Sequence, residues 1–234
     1  MGVGAAGGTA LWQSLETRKQ DAVFQAAVDE FAERGYGGAS MNALVLRAGI
    51  SKGSLFTYFR SKAGLFDAVV ERAAARIRGD LKELRAATAE APFAARLEAL
   101  VRRGFAFLDA HPRLARIYFR LLQGGDAPFA RGQVEALRRR SQDFLEELIA
   151  EGQAAGELRG DPPAPRLAFL LNLQLEALLA AWQERAGGRE SRAAREARRE
   201  AWIADFTGLA LRGMRAGRGA ERGTGRCAGR GGRI

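Results

Sequence analysis

Apolar residues recur along most of the chain at the three- and four-residue spacing of amphipathic α-helices. The pattern predicts a first helix that closes at Gly35-Tyr36, two short helices within 40–62, and a long helix from about Lys62 to Leu84. Five more helices are expected between residues 92 and 214. No segment alternates apolar and polar residues for long enough to predict a strand. The pattern therefore indicates an all-α fold.

The two short helices have the sequence SMNALVLRAGISKGSLFTYFRSK. Ser40 and Ser51 are suitable N-caps, because a serine hydroxyl accepts a hydrogen bond from a free backbone N–H of the first helical turn. Gly49 supplies the left-handed residue that ends the first of these helices. Leu55 and Phe59 lie four residues apart and are expected to be buried, which leaves hydroxyls and a cation on the exposed face. Such a face suits the major groove of DNA, which presents base edges between two rows of phosphates.

The order of motifs, from AAVDEFAERGY in the first helix to GISKGSLFTYF and SK, resembles the tetracycline-repressor (TetR) family of bacterial transcriptional regulators. A predicted capping box at Thr17 and Gln20 precedes the motifs, and the resemblance ends near Leu65-Phe66. It implies a three-helix helix-turn-helix DNA-binding domain joined to a larger helical ligand-binding and dimerisation domain. It also implies a homodimer that binds double-stranded operator DNA and releases it when a small-molecule inducer binds. The expected DNA-contacting residues are Ser40, Met41, Ser51, Lys52, Gly53, Ser54, Phe56, Thr57, Tyr58 and Lys62.

The sequence departs from the usual pattern of this family in three places. Val45 stands where alanine is most common, Phe56 replaces a common tyrosine, and Ala63-Gly64 replaces a glutamate-rich helix start. The apolar ring of Phe56 is expected to contact a thymine methyl group instead of a phosphate. The glycine is expected to weaken the N-terminus of the helix that follows the motif.

Composition suggests four segments. The expected domains are a flexible N-terminal arm (1–15), the DNA-binding domain (16–62), the ligand-binding and dimerisation domain (63–214) and a disordered Gly/Arg-rich tail (215–234). The net charge is +10, and the tail contributes +5 through six arginines and one glutamate. The alternative function is therefore a protein that binds nucleic acid through this tail without sequence preference. An arginine-rich composition without any role explains the charge equally well.

The helix that starts at Ala164 is apolar on nearly its whole circumference, so it needs cover on two sides. Its own domain would cover one side, and a second subunit would cover the other together with the apolar end of the last helix. The alternative is a larger core within one chain. The expected dimer residues are Phe169, Leu175, Trp202, Phe206 and Leu209.

Asn172 and Glu176 share a face of the same leucine-rich helix. A buried polar group needs a partner, which either a ligand or a polar seam in the dimer would supply. Because the domain is rich in aromatic and leucine side chains, a lipophilic inducer is expected. The expected ligand-binding residues are Phe105, Tyr118, Phe144, Asn172 and Glu176.

Other classes of protein find little support in the sequence. One cysteine (Cys227) and one histidine (His111) leave no internal disulfide and little to bind a metal. The chain has no GxxxxGK[ST] loop and no nucleophile with an evident base, so neither an enzyme nor a cofactor is expected. The start, MGVGAAGGTA, does not resemble a signal peptide, and the interrupted apolar run 167–182 is short for a membrane span. The protein is therefore expected in the cytoplasm, without a membrane partner.

Overall fold

The computed structural model describes residues 9–124, 127, 131–185 and 190–215. Within these ranges the chain is helical apart from turns and one isolated bridge between Leu158 and Arg215, which confirms the all-α prediction. The predicted tail over 215–234 lies outside the described residues except for Arg215. The helices are α1 (Ala10–Gln13), α2 (Thr17–Gly38), α3 (Met41–Ala48), α4 (Lys52–Phe59), α5 (Lys62–Ala87), α6 (Phe93–Ala110), α7 (Pro112–Leu122), α8 (Arg131–Ala154), α9 (Ala164–Glu184) and α10 (Arg192–Met214).

The smaller of two hydrophobic cores lies beneath the two short helices of the motif. Val23 and Phe31 of α2, Leu44 of α3, Leu55 of α4 and Leu65 of α5 are all buried there. Each of these side chains is at most 1% exposed. The apolar spacing in the sequence therefore predicted which faces of these helices meet.

The predicted helix ends within the motif are confirmed. Ser40 Oγ accepts a hydrogen bond from the backbone N–H of Ala43, and Ser51 Oγ accepts one from Ser54. Gly49 ends α3 in the left-handed region, with φ of 67°. These local bonds set the turn between α3 and α4.

The start of the chain differs from the predicted flexible arm, of which residues 9–15 are described. The Trp12 side chain of α1 is 3% exposed, and its ring centre lies 5.3 Å from Phe24 and 4.7 Å from Phe59. The capping box predicted at Thr17 and Gln20 is also wrong, because the Gln20 amide donates to the Trp12 carbonyl at 2.9 Å. A large indole gains more by filling the gap between α2 and α4 than by remaining in water. Residues 9–15 therefore belong to the DNA-binding domain.

The larger core fills the region from α6 to α10. Trp182 of α9 packs edge-on against Phe105 of α6, with ring centres 5.0 Å apart. Ile149 of α8 and Ile203 of α10 are at most 1% exposed in the same core. The helices predicted here are confirmed, with ends within a few residues of those expected.

Two helices contribute to both cores. On α5, Leu65 lies in the smaller core and Leu84 packs against the larger one. On α7, Ile117 is buried in the smaller core, whereas Ala115 and Phe119 are buried in the larger one. The sequence predicted the role of α5 as a connector, but it assigned α7 to the ligand-binding domain alone.

Candidate DNA-binding surface and ligand cavity

The recognition helix α4 presents a mixed polar and apolar face to solvent. Lys52, Gly53, Phe56 and Thr57 are exposed. The Thr57 hydroxyl donates to the Gly53 carbonyl at 2.9 Å, so its oxygen can still accept a hydrogen bond. The Phe56 ring is 38% exposed, so it can reach an apolar group on a base. These four residues have the exposure that contact with base edges and phosphates requires.

Other predicted contact residues are engaged within the motif. The Ser51 and Ser54 hydroxyls lie 2.8 Å apart at the N-terminus of α4, where Ser51 is also the cap. Ser40 caps α3, and Met41 packs partly against the smaller core. Their first role is to hold the two helices of the motif in place.

Tyr58 and Lys62 are less free than the sequence suggested. The Tyr58 side chain is half-buried, with its ring centre 5.6 Å from that of Trp12. Lys62 Nζ donates to the Gly37 carbonyl at 3.1 Å and lies 4.9 Å from the centre of the Tyr36 ring. The ammonium group of Lys62 therefore ties α5 to the end of α2.

A buried carboxylate that the sequence reading missed lies beneath the motif. Glu30 of α2 is fully buried, and its Oε1 accepts a hydrogen bond from the backbone N–H of Ser40 at 2.8 Å. Arg34 Nε lies 3.4 Å from the same carboxylate, and Arg47 Nη2 of α3 lies 3.7 Å from it. The carboxylate thus positions the start of α3 on α2. A glutamate within the apolar stripe of AAVDEFAE was the available signal.

The junction between α4 and α5 is tightly packed. Arg60 ends α4 with a φ of 63°, which is uncommon for a residue other than glycine. A Cβ atom at Gly64 would lie 2.2 Å from the Phe59 carbonyl oxygen. The Ser61 hydroxyl also accepts a hydrogen bond from the Gly64 N–H, so the first turn of α5 is capped. The close approach of the two helices accounts for a glycine that the sequence reading had treated as a weakness.

A cavity of about 170 Å³ lies in the larger domain, between α5, α6, α7, α8 and α9. Four of the five predicted ligand-binding residues line it: Tyr118, Phe144, Asn172 and Glu176. The fifth prediction is wrong, since Phe105 is fully buried in the larger core and does not reach the cavity. Helical spacing alone could not separate a wall of the cavity from solid core.

The polar groups of the cavity differ in their hydrogen bonding. Glu176 Oε2 accepts from Arg138 Nη2 at 2.7 Å, so its charge is already paired. Burial raises the pKa of the Tyr118 phenol, and the nearby charge of Glu176 raises it further. Asn172 is 8% exposed, and its amide takes part in none of the hydrogen bonds among the described residues. Asn172 is therefore a cavity residue with unused hydrogen-bonding capacity, and Arg103 Nε is a second buried donor of the lining that has no hydrogen-bond partner among the described residues.

One face of α9 is apolar and open to solvent. Phe169 is 50% exposed, Leu170 47% and Leu173 44%, and Leu209 of α10 is 65% exposed. The opposite face of α9 is buried in the larger core. A run of exposed large apolar side chains on a single face is typical of a protein interface.

The comparisons with known proteins cover both domains. Residues 23–69 match the model of bacterial regulatory proteins of the tetR family, and residues 90–214 match that of the tetracyclin repressor-like C-terminal domain. The chain belongs to the TetR family. It is a regulator of the transcriptional repressor type with a helix-turn-helix DNA-binding domain, and it is not an enzyme.

Relatives within the TetR family agree with this assignment. The HTH-type transcriptional repressor SCO4008 of Streptomyces coelicolor is 30% identical over 149 residues, which is 64% of this chain and 72% of that protein. A TetR family regulator from Chloroflexus aurantiacus has a similar structure, with a TM-score of 0.67 and 26% identity over 90% of this chain and 100% of the other. The regulator FadR of Bacillus subtilis in complex with stearoyl-CoA has a TM-score of 0.66 and 16% identity, covering 82% and 98% of the two chains. At that identity FadR shows a common fold only.

Three of the five expected dimer residues pack partly against the larger core of their own chain. Leu175 lines the cavity, and the Trp202 ring lies 5.6 Å from Trp182 within the same chain. Phe206 is half-buried against the larger core, whereas Phe169 and Leu209 are exposed as expected. A helix that is apolar all round does not reveal which residues face a partner, so the sequence could not separate these sets.

By length and composition alone, α9 could cross a membrane, contrary to the sequence reading. Its most apolar window has a mean hydropathy of 1.2, and 33% of that window is buried within the chain. The core helix of a soluble protein meets the same criterion, so a single such helix is weak evidence for a membrane span. Its apolar character fits a helix with the larger core on one side and a subunit interface on the other.

Proposed function

We propose that this chain is a cytoplasmic homodimeric repressor that binds a palindromic operator through α4 and is released by a small, mainly apolar inducer. One observation carries this proposal: the cavity is walled by α5 and α7, the two helices that contribute to both hydrophobic cores. A molecule in the cavity would therefore touch the helices that hold the recognition motif.

The path from cavity to motif is short on both helices. On α5, Val69 lines the cavity and also belongs to the smaller core, one turn from Leu65 beneath the motif. On α7, Ile117 lines the cavity and is buried in the smaller core. The Arg120 guanidinium of α7 donates to the Phe31 carbonyl of α2 at 3.3 Å. A shift of either helix would move the DNA-binding domain.

Release of DNA requires the inducer to prefer one arrangement of the dimer. A ligand with equal affinity for both arrangements would shift nothing, however tightly it bound. The inducer must favour an arrangement whose recognition helices no longer match the spacing of two major grooves, about 34–36 Å or a multiple of it. Operator DNA must then weaken inducer binding by the same factor.

The choice of an apolar inducer rests on the cavity wall. Leucine, valine and aromatic side chains provide most of it, and its charged residues are already paired, Glu176 with Arg138 and Asp80 with Arg103. Asn172 would orient the ligand through a hydrogen bond from its unused amide. FadR of Bacillus subtilis, which has the same fold, binds stearoyl-CoA, and the apolar acyl chain of that molecule supports the choice.

The dimer is tested by placing a charge on the exposed face of α9. Leu173→Glu should yield a monomer that binds its operator at least about tenfold more weakly, because the two half-sites are no longer linked. Ala106→Glu, at an exposed position of α6, adds the same charge and should change neither property. Light scattering and fluorescence anisotropy on an operator selected from random duplex DNA measure the two effects. A monomeric wild-type protein that still bound this operator would refute the proposal.

Calorimetry tests the coupling between cavity and operator. An inducer found by screening apolar compounds should bind operator-free protein more tightly than operator-bound protein, by the factor with which it weakens DNA binding. Asn172→Leu should reduce its affinity by about tenfold, the effect of one hydrogen bond of roughly 1.5 kcal/mol. Equal inducer affinity in the two states would remove the allosteric part of the proposal.

A further inference from the structure

A second cleft, of about 350 Å³, lies between the DNA-binding domain and the turn from α6 to α7. Helix α2 forms one wall, α5 forms the floor, and the start of α7 forms the opposite wall. Its lining is strongly basic compared with that of the cavity. The ionisable residues that line it are Asp21, Arg72, Arg76, His111 and Arg113.

The cleft adjoins the apolar cavity. Val69 and Ala73 of α5 and Leu114 of α7 line both spaces. The partition between them therefore includes three apolar side chains, one of which is only a methyl group. A molecule that displaced the Leu114 side chain could occupy both spaces at once.

The charges of the cleft do not balance. Arg72 pairs with Asp21 at 2.5 Å, and Arg113 pairs with Asp29 at 3.2 Å. Arg76 forms no ion pair among the described residues. Its guanidinium is therefore available to an anion. The Arg72–Asp21 pair is exposed on both sides, so Arg72 can shift to a ligand at little free-energy cost, whereas the partner of Arg113, Asp29, is only 17% exposed.

The start of α7 adds backbone donors to this positive environment. The first backbone bond of this helix runs from the Ala115 N–H to the His111 carbonyl, so the N–H groups of Arg113 and Leu114 come before it. His111 is the N-cap residue, and its side chain does not cap the helix. Free N–H groups and the positive end of a helix dipole favour a negatively charged group.

We propose that the cavity and the cleft form one binding site for an amphiphile, with its apolar part in the cavity and its carboxylate or phosphate head among the arginines of the cleft. This inference rests on the proposed function, because it names the chemical class of the inducer. The head group would touch α2, α5 and α7 together, so the ligand would bridge the DNA-binding domain and the larger domain. That bridge supplies the difference in affinity that release of the operator requires.

Calorimetry on the full-length wild-type protein with three eight-carbon probes tests the head group. Octanoate and octyl phosphate should each bind about tenfold or more tightly than octanol, because a charge-assisted bond to arginine adds to the same apolar contact. The ratio between the two anions shows which head group the cleft prefers. Arg76→Ala should reduce the advantage of both anions and leave octanol unchanged, whereas Arg76→Lys should restore part of it.

Arg140→Ala is the matched control. Arg140 is an exposed arginine of α8 with no ion pair among the described residues, and its loss should change none of the three affinities. If octanol bound as tightly as octanoate, the proposed head-group site would be wrong, and only the apolar cavity would remain as a binding site. An Arg76→Ala variant that lost octanol as well would overturn it too, by showing that Arg76 acts on the fold. If no probe bound while the same preparation still bound its operator, the amphiphile would be wrong and the repressor function would stand.

His111 gives a second readout, because it is the only histidine of the chain and its ring resonances need no assignment. Burial lowers the pKa of His111, and the charge of Arg76 lowers it further. An anion in the cleft should raise this pKa in an NMR titration, and octanol should not. An unchanged His111 pKa on saturation with octanoate would place the head group elsewhere. The charged groups that share its surroundings are Asp21, Arg72, Arg76, Asp80 and Arg113.

Discussion

The recognition motif and the ligand cavity are built from interactions of very different range. In the motif, Ser40 and Ser51 each cap a helix through a residue three positions away. At the cavity, Glu176 pairs with Arg138, which is 38 residues away in the sequence. This difference shows that a short stretch of sequence can determine the shape of a recognition helix, whereas the shape of the cavity depends on how five helices pack together.

Trp12 gives the strongest test of whether the motif depends only on local sequence, because it packs on the recognition helix from outside the motif. Besides the ring contacts, the Thr9 N–H donates to the Tyr58 carbonyl at 3.0 Å and the Thr9 hydroxyl to the Thr57 carbonyl at 3.3 Å. Trp12→Ala should lower the free energy of unfolding by about 3–5 kcal/mol, the usual effect of removing a buried tryptophan. Operator affinity should fall with it. Urea unfolding and anisotropy measure the two quantities.

Leu11→Ala is the control for Trp12→Ala, since Leu11 is the neighbouring residue of α1 and is 55% exposed. It should change stability by no more than about 0.5 kcal/mol. Equal effects of the two substitutions would show that α1 contributes little to the domain. The motif would then be as self-contained as its sequence suggests.

Within the motif, most of the geometry could be predicted from the sequence. Caps, the left-handed glycine and the burial of Leu55 and Phe59 depend on residues at most a few positions apart, so a single stretch of sequence contains the necessary information. The failures involved partners further away. Gln20 reaches the Trp12 carbonyl in place of capping α2, and the buried Glu30 acts on α3.

In the larger domain, the helices could be predicted but their orientation could not. Leu175 and Phe169 lie six residues apart on an almost entirely apolar helix, yet one lines the cavity and the other is exposed. When polar residues are too few to mark the solvent side, the apolar spacing does not show which side of the helix faces the core. Asn172 and Glu176 both line the cavity, and their polar side chains mark that side of the helix, but their contact with a ligand stays a prediction. The arginine cleft could not be predicted from the sequence, because its residues come from three separate helices.

Glu30→Ala sharpens the contrast by testing a buried polar contact between two helices of the motif domain. Removing the carboxylate leaves the half-buried N–H of Ser40 without its acceptor, which should lower the free energy of unfolding by about 1–3 kcal/mol. Operator affinity should fall because the start of α3 loses its attachment to α2. Glu33→Ala is the control, since Glu33 faces the same Arg47 at 3.8 Å but is 47% exposed. An exposed ion pair contributes about 0–1 kcal/mol, so a larger loss for Glu33→Ala would contradict this account.

Gly64→Ala tests the junction where the local motif meets the connector helix. The added Cβ atom would clash with the Phe59 carbonyl, which should destabilise the protein by about 1–3 kcal/mol. The better helix propensity of alanine offsets up to about 1 kcal/mol, so a net loss of roughly 0–3 kcal/mol is expected. Gly79→Ala lies in the same helix with no other atom within 4 Å of the new Cβ, and it should stabilise the protein. Urea unfolding of both variants gives the sign, and stabilisation by both would disprove the close approach.

Substitutions of Lys52 and Lys62 should have the smallest effects. They test whether DNA contact follows from the exposure of a lysine or from its position in the family motif. Lys52 is exposed on the recognition helix, so Lys52→Ala should reduce the slope of log K against log salt by about 0.9, one phosphate contact, with little change in stability. Lys62→Ala should cost about 0.5–1.5 kcal/mol of stability, because its hydrogen bond to the Gly37 carbonyl ties α5 to α2. Its slope should change by less than that of Lys52→Ala, since its ammonium group already has a partner within the protein. Anisotropy titrations at several salt concentrations measure both slopes. If both variants lost one full phosphate contact, Lys62 would bind a DNA phosphate directly. Its position in the family motif would then predict its role better than its contacts within the protein do.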